Sequence, residues 1–403
     1  MFAPLQGVRI VDLTHVLAGP YVTHVLTQLG ADVVKIERPG VGDVMRNGRP
    51  GQSPPGFAAG FVGMNHGKRS LTLDLKDARG KEAVRRLIGR ADALVENQRP
   101  GELDRLGFGY AAVAALNPRL VYASISGWGQ SGPLAARTGY DQVIQAATGM
   151  MMMQGEAGTP PMKTGFPAID IATGMNGACA ILAALLERQR TGKGCHVDVA
   201  MSDSALMLMF GPSTAGLVSS LPHERVGNRS LASSPTSGVF ETGDGWISVA
   251  ANTVEQGHKA LAVVGRPELK DDPRFAPARK GGFFFVADLD GAEAEFVRAL
   301  KTRDAEHWER AFNDAGIACA KVRTIEGFLA GPYRTMPGIH CTLTDQPGYD
   351  RPVEVPGAGF RVDGEVPAAG RPAPAMGGDS RAVLGELGFA ASEIDAMAKD
   401  GVI

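Results

Sequence analysis

Apolar residues fall in short runs separated by stretches with helical spacing. Val8–Leu13 is a β-branched apolar run ended by Thr14, the pattern of a buried strand. Pro20 suits the first turn of a helix that runs to about Leu29, with Gly30 as its stop. Asp32–Glu37 reads as the next strand, and strand, helix and strand in close succession make a βαβ unit. Leu71, Leu73 and Leu75 alternate with polar residues as in a half-buried strand, and Gly80–Arg90 has helical spacing. Ala93–Glu96, Leu120–Ser126 and Cys195–Ala200 read as further strands. Between the last two lies a long helix, Asp170–Arg190, whose first half is small: Ala172, Gly174, Gly177, Ala178 and Ala180. Glycines cost helix propensity, so this half predicts close packing on a neighbour. The alternation implies a mostly parallel sheet with helices on its faces.

The second half of the chain reads differently. Residues 213–235 are turn-rich and read as a linker. Phe240–Ala250, centred on Asp244–Gly245, reads as a hairpin. Helical patterns follow at Val254–Val264, Gly291–Lys301 and Trp308–Ala315. After Gly331 the chain is rich in proline and glycine, and a last helix is expected at Ser392–Lys399. The expected organisation is a large domain over 1–212, a linker, a small α+β domain over 236–325, and a segment 326–403 returning to the large domain. Met150–Met153 reads as core or interface packing, and KGGFFFV at Lys280–Val286 as exposed or interfacial.

Composition narrows the functional classes. The net charge of −2 argues against a general electrostatic grip on nucleic acid or anionic membrane. Four cysteines with no CxxC spacing fit neither a disulfide scaffold nor a metal site, and no metal is expected. No secretory leader or uninterrupted membrane-length apolar stretch is evident, so a cytoplasmic enzyme is the expectation. Glycine is the outlier, 53 residues where about 28 would be usual, which points to many tight turns and close backbone approaches.

The turn after the first strand, THVLAGP at Thr14–Pro20, is not the G-x-G-x-x-G of a dinucleotide site. Arg38, next to Glu37 at the end of the second strand, suits a ligand with an extra phosphate, as in coenzyme A; a partnerless surface arginine is the plain alternative. Lys68, Arg69, Arg99, Arg105 and Arg137 also fall in strand-end turns, where parallel sheets bind ligands. Asp170 opens the small-residue helix. There it is either a cap for free N–H groups or an ionised carboxylate, favoured by the helix dipole, that can act as a nucleophile. His15 is either a structural hydrogen-bonder or a site residue.

The segments PLQGVRIVDLTHVLAGP, GADVVKIERPGVGD, NHGKRSLTLDL, VENQRPGELDRLGFGY and SISGWGQSGPLAARTGYD resemble the family III CoA-transferases (CaiB/BaiF), and so does the stretch from Ile169 to Ser204. The resemblance covers almost the whole chain. It implies a Rossmann-like large domain, a smaller α+β domain and an interlocked, linked-ring homodimer. It implies no tightly bound cofactor, with coenzyme A or acyl-CoA and a small carboxylic acid as substrates. Asp170 then matches the aspartate nucleophile, Arg38 and Arg105 the CoA-contacting arginines, and His15 and Ala18 a stretch lining the site. Tyr140 matches a tyrosine near the reacting centre, and Arg137 stands where formyl-CoA transferase has a lysine. The implied reaction is CoA transfer through aspartyl anhydride and aspartyl-CoA thioester intermediates. An α-methylacyl-CoA racemase and a CoA-binding protein without catalysis are the alternatives. Racemases carry G-H-D where this chain has Gly139-Tyr140-Asp141, and tyrosine is a poor α-proton base. Two departures stand out: Ala250–Val254 lacks the glycine run of formyl-CoA transferase, and Ala318–Lys321 replaces a common Pro-x-Gly-Pro element.

Overall fold

The computed structural model describes residues 2–220, 223–278, 282–367 and 370–403. The chain forms two compact units. One comprises Met1–Met150, Thr164–Ser220 and Thr335–Ile403; the other comprises Met151–Lys163 and Leu221–Arg334.

The first unit is built on six parallel strands: β1 (Arg9–Leu13), β2 (Asp32–Glu37), β3 (Arg69–Thr72), β4 (Ala93–Glu96), β5 (Val121–Ser126) and β6 (Cys195–Ala200). Their order is β3-β2-β1-β4-β5-β6, the order of a doubly wound sheet whose ligand crevice lies where β1 and β4 diverge. The four central strands, β2, β1, β4 and β5, feed both faces. Val11, Val34 and Leu94 pack beneath the Ala78–Arg90, Ser380–Glu386 and Ala391–Lys399 helices. Ile10, Val33, Val95 and Ala123 pack beneath the Ala18–Gln28 and Ala168–Thr191 helices. Leu71 and Leu73 are buried as expected, but so are Ser70 and Thr72, so β3 is not half-exposed. Its open edge is covered by the returning C-terminal segment: Asp379 N–H donates to Ser70 O (3.0 Å), Ser70 N–H to Asp379 Oδ2 (2.9 Å) and Thr72 N–H to Ser380 Oγ (3.1 Å). Covering an edge in this way prevents strand addition by other chains.

The small residues of the Ala168–Thr191 helix do what their size predicts. A Cβ on Gly174 would sit 2.7 Å from Tyr21 Cδ1 and 3.1 Å from Ala18 O; one on Gly177 would sit 2.8 Å from Val22 Cγ2. By length and composition alone this helix could also cross a membrane, a property it shares with buried core helices. Its glycine flank is buried against the Ala18–Gln28 helix.

The second unit holds an antiparallel sheet, β7 (Ser237–Glu241), β8 (Trp246–Ala250) and β9 (Ala318–Lys321), in that order. The Val254–Val263, Leu289–Leu300 and Ala305–Asp314 helices pack with it around Phe240, Phe275, Phe296 and Phe312. The anomalous Ala318–Lys321 segment is thus an edge strand.

Several readings are corrected. Phe210–Ser219 is a helix where 213–235 was read as linker, and Leu221 and Pro222 of that stretch lie outside the described residues. In Lys280–Val286, Lys280 and Gly281 also lie outside them; Phe283 is exposed, but Phe284 is buried in the core. The Pro/Gly-rich C-terminal stretch contains a hairpin, β10 (His340–Leu343) and β11 (Val353–Pro356), packed on Phe61 and Val62. Of the methionine run, Met150 is buried, whereas Met152 is exposed and its carbonyl accepts from Arg225 Nε (3.1 Å).

The helix contact sets a stability test. Gly174→Leu should destabilise the protein by about 1–3 kcal/mol through overpacking, read as a lower midpoint in urea denaturation. An unchanged midpoint would contradict the close approach of the two helices.

Candidate active site

The site is assembled from strand exits. Asp12, in the middle of apolar β1, is fully buried and saturated with donors. It accepts from Thr14 N (2.9 Å), Thr14 Oγ1 (2.5 Å) and Thr23 Oγ1 (2.6 Å), and pairs with Lys68 Nζ at 3.1 Å. Burial pushes its carboxyl up, but Lys68 and Lys35 outweigh burial and hold it below the usual range. Lys35 Nζ donates to Thr14 O (2.7 Å) and pairs with Asp43 Oδ2 at 3.0 Å. Asp43 Oδ1 accepts from Met45 N (3.0 Å) and, more weakly, from Val16 N (3.3 Å).

These contacts shape the turn after β1. Val16 has φ +70°, a left-handed conformation that β-branched residues avoid unless their surroundings impose it. From β4, Asn97 clamps the neighbouring residue on both sides: His15 N–H donates to Asn97 Oδ1 (2.9 Å) and Asn97 Nδ2 donates to His15 O (2.7 Å). Burial, then Lys35, pull the His15 imidazole below its usual pKa, so it is neutral near pH 7. The Ala18–Gln28 helix starts directly afterwards, with Leu17 as an N-cap that offers no side-chain bond.

β5 supplies the opposite wall. Gly127 and Gly139 touch so closely that a Cβ on Gly127 would lie 2.8 Å from Gly139 Cα. That contact brings Arg137–Asp141 to the strand end. Asp141 then caps the Ala168–Thr191 helix, its Oδ2 accepting from Ile169 N (2.7 Å) and Asp170 N (3.1 Å). Its other oxygen accepts from Gln145 Nε2. Asp141 therefore takes the capping role that was open for Asp170. The Asp170 carboxylate has no hydrogen bond among the described residues. Burial, and then the negative charge of Asp141, push it up to about 7. The stabilisation expected from the helix dipole is outweighed.

Asp170 opens onto a cleft of about 210 Å³ at the C-terminal ends of β1, β4, β5 and β6. His15, Ala18, Arg99, Arg137 and Tyr140 line the same cleft. Arg99 and Arg137 have no ion-pair partner among the described residues. Arg38 and Arg105 are exposed outside it, the latter on the short Glu102–Leu106 helix. Lys68 is a correction: it is fully buried, bonded to Asp12, Pro20 O and Asn65, and unavailable to a ligand. Burial pulls its ammonium down to about 8 against the attraction of Asp12. Asp141, Asn97 and Asp43 were not singled out from sequence. The available signals were the acid following Gly139-Tyr140 and the carboxylate set in the apolar run of β1, which demands a buried cation.

Comparison with known proteins shows the family to which the chain belongs. The sequence model of CoA-transferase family III matches residues 5–380. The acetyl-CoA:oxalate CoA-transferase of Acetobacter aceti is 37% identical, over 88% of this chain and 92% of its own length. The succinyl-CoA:glutarate CoA-transferase of Mus musculus is 32% identical, over 99% of this chain and 90% of its own. Among solved structures, a CaiB/BaiF family protein from Brucella suis superposes with TM-score 0.82 at 31% identity, covering 96% of this chain and all of that one (100%). The chain belongs to family III of the CoA-transferases and is an enzyme of that class.

Proposed function

We propose that this enzyme moves coenzyme A from an acyl-CoA donor to a small dicarboxylic acid, with Asp170 as the nucleophile. The observation that carries the reading is a carboxylate without hydrogen-bond partners among the described residues, in a cleft that also holds two guanidiniums without ion-pair partners. An Asp170 oxygen attacks the thioester carbonyl, the C–S bond breaks and CoA thiolate leaves, giving a mixed anhydride. The thiolate attacks the aspartyl carbonyl and releases the donor acid as its carboxylate, leaving aspartyl-CoA. The acceptor carboxylate attacks that thioester and expels the thiolate again. The thiolate then takes the acceptor's acyl group and frees Asp170. No step needs a redox partner or a net proton.

The site suits each step. The N–H groups of Ala18 and Gly19, at a helix start without a side-chain cap, are donors for the developing oxyanions. The cleft is smaller than the ~300–1,000 Å³ of pockets that enclose whole ligands, so it holds the reacting end while the nucleotide lies outside. Exposed Arg38 and Arg105 are placed for phosphates there. Arg99 or Arg137 would recognise the distal carboxylate of the acceptor. The oxalate and glutarate in the relatives' names support a diacid. The exposed apolar residues Met175, Leu186, Phe210, Leu217 and Val218 on two helices of the first unit form a face that fits a second copy, in line with the interlocked homodimer.

Four outcomes are expected. Asp170→Asn should reduce CoA transfer by roughly a thousandfold or more and abolish the CoA-sized mass adduct that the wild type forms with succinyl-CoA. If no acyl-CoA donor in a panel yields an adduct on the wild type, Asp170 is not a nucleophile. Because the attacking form is the carboxylate, kcat/KM should rise with pH through about 7. Asp141→Asn, which keeps a cap but removes the like charge, should move that inflection to lower pH; an unmoved inflection would contradict the coupling. Light scattering on the purified chain should give a dimer mass, and a monomer would refute the paired face.

A further inference from the structure

A second crevice, of about 330 Å³, opens at the opposite end of the sheet. It lies beside the first residues of β1, β2 and β3, between the end of the Ala78–Arg90 helix and the Ser380–Glu386 helix. Its floor is apolar and buried: Val11, Val34, Leu87, Val383 and Leu387 are each less than 10% exposed. Interiors are packed with few voids larger than a water molecule. An open space of ligand size, with apolar walls and a few polar groups at the rim, is the usual form of a small-molecule site.

The rim fixes the chemistry of the occupant. It carries three guanidiniums, Arg9, Arg69 and Arg90, and two carboxylates, Asp32 and Glu386. Arg69 engages both acids, Asp32 at 3.0 and 2.6 Å and Glu386 at 2.9 and 2.8 Å. Arg90 bonds the Glu386 carbonyl, and Arg9 has no ion-pair partner among the described residues. One positive charge is left in excess. A single carboxylate satisfies it with the planar geometry that guanidinium favours. A dianion would meet Asp32 and Glu386 with its second charge.

We propose that this crevice binds a small amphipathic monocarboxylate, its hydrocarbon part on Val34 and Leu387 and its carboxylate on Arg9 and Arg90. The site is separate from the Asp170 cleft and does not rest on the transferase mechanism.

Hexanoate is the probe, titrated calorimetrically into the full-length wild type, the Arg9→Ala/Arg90→Ala double variant and the Asp170→Asn variant. Both arginines are exposed, and thermal melts will confirm that the double variant folds. The expected result is one hexanoate per chain, bound equally by wild type and Asp170→Asn even with CoA present. Affinity should fall at least about tenfold in the double variant, and hexan-1-ol should bind at least about tenfold more weakly than hexanoate. No binding at millimolar hexanoate would overturn the proposal. So would equal affinity for the alcohol, undiminished binding to the double variant, or displacement by CoA.

Discussion

Four ionisable side chains with no solvent exposure, Asp12, Lys35, Asp43 and Lys68, decide the path of the chain where it leaves the first strand. Charges taken out of water are costly unless they are paired and fully hydrogen-bonded. Each of these has a partner of opposite sign, and the loop between β1 and the following helix is threaded through the pairs. Lys35 holds the Thr14 carbonyl, Asp12 the Thr14 amide and hydroxyl, and Asp43 the Val16 amide. The left-handed turn at Val16 is therefore imposed from beneath. It places the start of the Ala18–Gln28 helix at the rim of the cleft, and the glycines of the Ala168–Thr191 helix pack on that helix.

The electrostatics around Asp170 then follow from geometry. Asp141 satisfies the end of the helix and, in doing so, sets a second negative charge beside Asp170. A carboxyl with a raised pKa is ionised in a smaller fraction of molecules at neutral pH. Its carboxylate is correspondingly more basic, and basicity and protonation state balance when the pKa lies near the working pH. Unpaired arginines in the same cleft offer compensating charge once a negatively charged substrate has neighbours to share it with.

The centre of the parallel sheet was legible because β1, β2, β4 and β5 are short, mostly apolar runs that supply both cores. β2, β4 and β6 fall where the pattern put them, and β1 and β5 differ by one residue at one end. The small-residue helix was legible for the same kind of reason, since glycines in a helix need a close neighbour. Other features were not. Lys68 sits in a turn-like stretch and reads as a surface cation; its burial depends on Asp12, 56 residues earlier, a pairing that no local pattern encodes. Phe210–Ser219 contains two glycines and a proline, which suggest a linker, yet it forms a helix. The β10–β11 hairpin was hidden in a proline-rich stretch because its pairing is set by packing on Phe61 and Val62. At the candidate site, family resemblance pointed to Asp170. The capping function of Asp141 became visible only when two segments distant in sequence met.

The covering of β3 has a consequence in time. The strand lies in the first fifth of the chain, yet its open edge is sealed by Asp379 and Ser380, and the Asp74 amide just beyond it is held by the Val402 carbonyl (2.8 Å). Asp379 is delivered by the ribosome 309 residues after Ser70. Until Asp379 and Ser380 arrive, the nascent sheet exposes a strand edge and the apolar side chains that the C-terminal helices will cover. Contacts of such sequence separation slow folding, because loop closure must precede the reward. The edge of β3 therefore stays open for as long as the intervening residues take to be made, a vulnerability set by the order of the chain rather than by its final stability.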